Sequence, residues 1–165
     1  MKNGLVIADS GPKFSLAVID KLELLEHLFD SIRIPIGVWN EITHNKSAEH
    51  YEKISTFFLE KKQEIKGFND LTFVMDYGES EAVILYKELQ ADFLLIDDRK
   101  ARNIDENFGL NCIGTIGLLS VARDKGLVSS LNPLFQLFLK KSRYYSLNLL
   151  NAILTHHGEE TISKI

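Results

Sequence analysis

The sequence of 165 residues has little of several residues that mark particular classes of protein. Its single cysteine, Cys112, excludes an intrachain disulfide and a zinc site built from cysteines, and it favours a reducing compartment. No apolar run approaches the ~20 residues that cross a bilayer. The apolar run at residues 5–8 is too short for a signal peptide. We therefore expect a cytoplasmic protein that has no membrane partner.

Prolines are also scarce, and their number, three, together with ten glycines leaves no room for a long flexible linker. Apolar residues make up 45% of the chain and charged residues 25%, as in ordinary globular proteins. At about 150 residues per domain, the length favours one domain. We expect that domain to span residues 1–165, with a core at 4–128 and C-terminal helices at 131–156.

The chain has little excess of either sign of charge, since its net charge is only −4. That value is too small to indicate a nucleic-acid-binding protein by itself. The distribution is uneven, however: residues 1–98 carry 10 basic and 18 acidic residues, whereas residues 99–165 carry 9 and 5. The sequence thus predicts separate acidic and basic surfaces.

Short apolar runs alternate with longer amphipathic segments along the chain. The runs predict strands at 5–8, 32–34, 93–96 and 111–113, with a weaker candidate at 64–67. The amphipathic segments predict helices at 21–29, 36–43, 47–61, 79–89, 100–108, 116–125, 131–140 and 146–155, and residues 69–76 read as a loop. This alternation favours an α/β fold with a central parallel sheet, helices on both faces and a helical C-terminal tail.

Acidic residues follow two predicted strands and open or line two predicted helices: Asp9, Glu41, Glu79, Glu81, Asp97 and Asp98. In open α/β sheets, ligands bind beyond the carboxyl ends of the strands. Converging carboxylates repel one another unless a cation offsets their charge, and oxygen ligands favour Mg²⁺ or Mn²⁺ over Zn²⁺. A structural interpretation remains open for each residue, since Asp9, Asp97 or Asp98 could cap a helix, and glutamates suit the first turn of a helix.

Five segments resemble those of PIN-domain proteins, from about residue 5 to residue 128. They are a strand ending in Asp9 and a small hydroxyl residue, a Pro-x-x-Val-x-x-Glu segment at 35–41, Gly-Glu-x-Glu-Ala at 78–82, Asp-Asp-Arg-x-Ala-Arg at 97–102 and Gly-Thr-x-Gly at 114–117. The last three are similar to a prokaryotic PIN-like subfamily of unassigned function. Residues 96–98 depart from the general Thr-x-Asp pattern, and Lys13 stands where the subfamily tends to be apolar.

The resemblance implies a Rossmann-like three-layer α/β/α fold and endoribonuclease chemistry that depends on Mg²⁺ or Mn²⁺. It implies four catalytic acids, Asp9, Glu41, Glu81 and Asp98, with Asp97 and Glu79 as further candidate metal ligands and Ser10 positioning metal or phosphate. Whether Glu79 or Glu81 is the third ligand stays open. Many small PIN proteins are toxins held inactive by an antitoxin protein, often as dimers, so the resemblance also implies these partners.

Basic and polar residues beside the acids are candidates for binding an RNA backbone, namely Arg99, Arg102 and Thr115. Salt bridges to neighbouring acids are an equally direct explanation of the two arginines. Two other functions therefore stay open. One is a PIN-like module that binds nucleic acid or protein without catalysis, and the other is a structural subunit that docks a partner through residues 147–150. The five histidines show no convincing ligand spacing. The adjacent pair His156 and His157 could bind zinc adventitiously, but ordinary surface placement is the favoured interpretation.

Overall fold

The central element of the fold is a parallel sheet. The computed structural model describes residues 2–67, 77–143 and 145–163. Within these ranges the strands are β1 (Leu5–Ala8), β2 (Ser31–Pro35), β3 (Lys62–Gln63), β4 (Phe93–Leu95) and β5 (Cys112–Ile113). Their order across the sheet is β3-β2-β1-β4-β5, and every pair is parallel. The carboxyl ends of β1 and β4 therefore lie side by side at one edge.

Helices connect the strands and follow them to the C-terminus. In the same ranges they are α1 (Ser10–Val18), α2 (Leu24–Leu28), α3 (Ile36–Thr43), α4 (Tyr51–Phe58), α5 (Tyr77–Leu89), α6 (Arg99–Asn107), α7 (Thr115–Asp124), α8 (Asn132–Lys140) and α9 (Leu147–His156). In this described part of the chain, none of the helices is both long and apolar enough to cross a membrane.

Both faces of the sheet are covered, because alternate residues of a strand point to opposite sides. Val6 and Ala8 belong to a large apolar cluster that also contains residues of α1 to α4 and α7 to α9. Ile7 belongs to a second cluster, built with residues of α5 and α6 such as Val83 and Ala101. The sheet thus separates two helical layers, and the predicted three-layer α/β/α architecture is confirmed.

One predicted strand is wrong. The weaker candidate at 64–67 is not a strand, and β3 instead occupies Lys62–Gln63, where it pairs with Ile34 and Pro35 at the end of β2. Pro35 has no backbone N–H to donate, and α3 begins at the next residue, so the ladder cannot extend further. The edge strand is short because its partner ends there.

Several helix predictions also differ from the structure, and two of them have a clear physical reason. The helix predicted at 47–61 begins only at Tyr51, because His50 before it adopts a left-handed backbone with φ of 67°. Helix α1 is not among the predicted helices, and its first turn contains Pro12, a residue compatible with the start of a helix. The predicted loop at 69–76 lies outside the described residues.

The C-terminal segment is fixed by one carboxylate that caps helix α8. Glu159 accepts hydrogen bonds from the backbone N–H groups of Leu131 and Asn132 at 2.8 and 3.0 Å and from the Ser130 hydroxyl at 2.8 Å. Arg123 Nε lies 3.3 Å from its other oxygen. Burial acts to raise the pKa of Glu159, but these donors outweigh it and hold the pKa below its ordinary range. The Glu159 carboxylate therefore connects the C-terminal segment to α7 through an ion pair and to α8 through hydrogen bonds.

Replacing that carboxylate should destabilise the protein in a pH-dependent way. We expect Glu159→Gln to lower the free energy of unfolding at pH 7 by roughly 1–2 kcal/mol, because an amide replaces a charged acceptor of several hydrogen bonds. A carboxyl whose pKa is lowered by folding stabilises the protein above its unfolded pKa, about 4.3. The difference should therefore disappear as the pH falls through the folded pKa, as measured by urea unfolding. The exposed neighbour provides the control Glu160→Gln, and an equal loss in both variants would contradict the capping role.

Candidate metal centre

Acidic side chains follow the two neighbouring strands at the centre of the sheet. Asp9 comes directly after β1, and its backbone N–H donates to the Leu95 carbonyl at 2.9 Å, at the end of β4. Asp97 and Asp98 follow β4 after Ile96. The parallel register thus brings acids from segments almost ninety residues apart to one edge.

Two more acids reach the same region from helices α3 and α5. Glu81 of α5 accepts a hydrogen bond from the backbone N–H of Gly37, in the first turn of α3, at 2.6 Å. Glu41 of α3 lies against Gly78 of α5, where the Cβ of any other residue would overlap the Glu41 carboxylate. Each helix therefore places a carboxylate against the start of the other, and Gly78 is needed for that approach.

The four acids differ in exposure. Asp9 and Glu81 are only 6% and 5% exposed, whereas Glu41 and Asp98 are open to solvent. Asp98 also caps α6, because its Oδ1 accepts from the Ala101 N–H at 2.8 Å. Glu79 is half-buried two residues before Glu81, a spacing that turns the two side chains to different sides of a helix. Glu81 therefore makes the contact with α3, whereas Glu79, in the first turn of α5, points to another side of the helix.

A lysine is buried beside these carboxylates. The Lys13 side chain is fully buried, and its Nζ donates to the Ala8 carbonyl at 2.8 Å. Burial lowers the pKa of Lys13 to about 7, although the carboxylates of Asp9 and Glu41 favour its charged form. The chain thus supplies one cation of its own next to two of the candidate acids.

An aspartate that sequence reasoning missed is buried below the edge of the sheet. Asp105 of α6 is fully buried, and neither of its oxygens has a hydrogen-bond partner among the described residues. Burial raises the pKa of Asp105 to about 7, and the charges of Asp9 and Glu106 add to the rise. The available signal was its position seven residues, two helical turns, after Asp98, which places both on one face of α6.

Asp97 is engaged in a different network from its neighbour Asp98. Its oxygens accept from the Thr115 N–H at 2.7 Å, the Thr115 hydroxyl at 2.8 Å and the Tyr145 hydroxyl at 2.7 Å. The Tyr145 hydroxyl also lies 2.6 Å from Ser15 Oγ. Burial and the Asp97 charge raise the pKa of Tyr145 to about 12. Asp97 and the fully buried Thr115 thus join β4, α7 and the segment before α9.

The two arginines line a groove next to this network. Arg99 is exposed and Arg102 is half-buried, and a groove of about 520 Å³ runs between them, Asn103 and Ser146. Arg102 also lies 3.8 Å from Glu106, four residues on in α6. Such an exposed pair contributes little, so the guanidinium stays available to an anion. Ser10, half-buried, is the first residue of α1.

The chemistry of the donors fits a hard divalent cation. Asp9, Glu41, Glu81 and Asp98 offer carboxylate oxygens, the ligands that Mg²⁺ and Mn²⁺ prefer. Two of these carboxylates are almost completely removed from water, where unbalanced negative charge is costly. Lys13 can offset only part of that charge.

Comparison with known proteins identifies a family. The model of a family described as PIN domain matches residues 5–159, which include all five strands and all nine helices of the described chain. No curated protein matches the chain.

The two buried charges give the metal-free protein opposite pH dependences. For Asp105 the folded state keeps a proton that the unfolded state loses above pH ~4, so its contribution to stability falls as the pH rises to about 7. For Lys13 the unfolded state keeps a proton up to pH ~10 that the folded state releases near 7, so stability rises over that range. Together they should produce a minimum near neutral pH, measured by urea unfolding in EDTA.

Single replacements should separate the two effects. Asp105→Asn is expected to flatten the acid side of the minimum, and Lys13→Met the alkaline side. The exposed Glu52→Gln on α4 serves as a control and should leave both slopes unchanged. An unaltered acid slope in Asp105→Asn would show that this carboxyl titrates normally.

Proposed function

This chain belongs to the PIN-domain family, and on that premise we propose that it is a Mg²⁺- or Mn²⁺-dependent endoribonuclease that hydrolyses RNA phosphodiester bonds. PIN domains are generally metal-dependent nucleases, and the chain has the nuclease-type fold. The observation that carries the proposal is the near-complete burial of Asp9 and Glu81 at the carboxyl edge of the sheet. Burial of two carboxylates is costly without a cation to offset their charge.

Each acid has a role in this proposal. Asp9, Glu81 and Asp98 would hold the ion, and Glu41 would hold a second ion or orient the attacking water. When bound, such a cation stabilises negative charge on the phosphate and on the leaving oxygen. Glu41 suits the water-orienting role because its exposed carboxylate lines an open cleft of about 490 Å³ with Asn40 and His44. A water held there can give its proton to Glu41 as it attacks the phosphorus.

The RNA backbone would approach over helix α6. Arg99 and Arg102 present guanidinium groups to the groove beside Asp97, and arginine suits phosphate because its donors match two oxygens at once. Ser10 adds a hydroxyl next to Asp9. We place Thr115 in a supporting role only, because its side chain is buried and donates to Asp97.

The proposal extends to a toxin held inactive by an antitoxin protein, in a homodimer. This part rests on the family resemblance of the sequence, and the antitoxin would have to cover or displace groups at the acidic edge. Cytoplasmic location is part of the same proposal.

A non-catalytic RNA-binding module is the alternative, and one observation favours it. Lys13 lies buried beside the acids and, when protonated, supplies positive charge where a metal would otherwise be required. A site partly neutralised in this way binds a divalent cation less strongly. In that case Arg99 and Arg102 would bind RNA and the acids would have a structural role.

Metal binding can be measured without knowing the RNA target. We expect Mn²⁺ to raise the melting temperature of the wild type in a saturable manner, since a ligand that binds only the folded state stabilises it. Asp98→Asn should lose most of the shift, and the exposed Glu60→Gln should retain it. Lys13→Met is expected to enlarge the shift, because the competing cation is removed. Equal shifts in wild type and Asp98→Asn would contradict the assigned site.

Cleavage of a pool of labelled oligoribonucleotides tests the chemistry. Glu41→Gln should slow cleavage roughly 10²- to 10⁴-fold if Glu41 orients and deprotonates the water. Asp9→Asn and EDTA should abolish cleavage, while Arg102→Ala should mainly raise KM. RNA binding without turnover, unchanged by EDTA but weakened in Arg102→Ala, would favour the alternative instead.

A further inference from the structure

A second group of potential metal ligands lies away from the acidic edge, where helices α7 and α9 end. Asp124 is the last residue of α7, His156 is the last residue of α9, and His157 follows it. One ligand atom from each of the three side chains lies within 4.8 Å of the other two. The C-terminal ends of helices carry partial negative charge, so two such ends together favour a cation.

The separation of the His157 and Asp124 side chains suits two ligands of one ion better than a hydrogen bond between them. His157 Nδ1 lies 3.5 Å from an Asp124 carboxylate oxygen, which is longer than the usual N–H···O hydrogen bond. In a tetrahedral zinc site with bonds of about 2.0–2.1 Å, neighbouring ligand atoms lie ~3.3 Å apart. The His157 and Asp124 atoms are therefore already at nearly the separation that a shared ion requires.

Ser120 fixes the ring that would bind the ion. His157 Nε2 lies 2.8 Å from the Ser120 hydroxyl, and only 5% of the His157 side chain is exposed. With Nε2 occupied in this way, Nδ1 is the atom turned toward Asp124. Metal-binding histidines commonly use their second ring nitrogen for such an orienting hydrogen bond.

The other two ligands, His156 and Asp124, are exposed, so their side chains have room to rotate toward the site. The His156 ring packs edge-on against the His157 ring, with centroids 4.9 Å apart, and its side chain faces solvent. Asp124 is also largely exposed, at 62%. Small rotations of these two side chains can shorten the longest separation, whereas His157 is held in place.

We propose that Asp124, His156 and His157 bind a zinc ion, with water as the fourth ligand. Two imidazoles and one carboxylate are ligands that zinc uses in proteins, and three protein ligands leave one position open. This donor set differs from the all-carboxylate set at the edge of the sheet, so the two sites should prefer different metals.

Such an ion would strengthen the attachment of the chain end. It would join α7 to α9 two residues before Glu159, whose carboxylate caps α8. The zinc site and this cap would then hold the same segment, one through metal bonds and the other through hydrogen bonds.

Zinc titration of the full chain without an affinity tag tests the proposal. We expect one Zn²⁺ per chain by calorimetry, a saturable rise in melting temperature, and visible absorption typical of low-symmetry coordination when Co²⁺ replaces Zn²⁺. His156→Ala and Asp124→Asn should each abolish this binding. Both side chains are exposed, so these variants should fold normally.

Matched variants distinguish zinc binding at this site from binding at the acidic edge or at another histidine. Ser120→Ala should weaken zinc binding by about 10- to 100-fold, as loss of an orienting partner usually does. Asp98→Asn, at the other site, and His27→Ala, an exposed histidine of α2, should bind zinc like the wild type. The proposal is overturned if the wild type shows no stoichiometric binding, if His156→Ala still binds, or if Asp98→Asn abolishes binding.

Discussion

The burial of carboxylates at one edge of a parallel sheet is the constraint that the surrounding structure has to satisfy. The parallel register of β1 and β4 fixes the positions of Asp9 and of the acids after β4, because the carboxyl ends of the two strands lie side by side. Helices α3 and α5 then bring two glutamates to the same region, and Glu81 is buried as completely as Asp9. Such a site needs compensating positive charge, of which a divalent cation would provide more than Lys13 does.

Several side chains stabilise this edge of the sheet through different contacts. Asp98 caps α6 with one oxygen, while Asp97 binds Thr115 and the distant Tyr145 and so joins the sheet to the C-terminal segment. Arg143 supports the same connection by donating to Ser15 and to the carbonyl of Gly11, two residues after Asp9. The C-terminal helices are therefore part of the framework that positions the acids, and their own apolar residues belong to the larger core.

The sequence contained enough information for four of the five strands and for the positions of Asp9 and Asp97 after the ends of β1 and β4. Strand β1 is buried on both faces and therefore appears as an uninterrupted apolar run, and Asp9 ends that run. Strand β3 has two residues and depends on pairing with β2, so no local pattern marks it. Burial of Lys13 and Asp105 depends on packing between distant segments. Which of Asp97 and Asp98 turns to Tyr145 likewise depends on a contact 48 residues away along the chain.

Location of a bound manganese ion is the most direct test of the account. In crystals grown with Mn²⁺, anomalous scattering at the manganese absorption edge would position the ion without knowledge of the RNA target. We expect a peak at bonding distance from carboxylate oxygens of Asp9 and Glu81, with Asp98 or Glu41 completing the protein ligands. A fully occupied crystal form with no peak at this edge, and with Lys13 alone facing the acids, would contradict it.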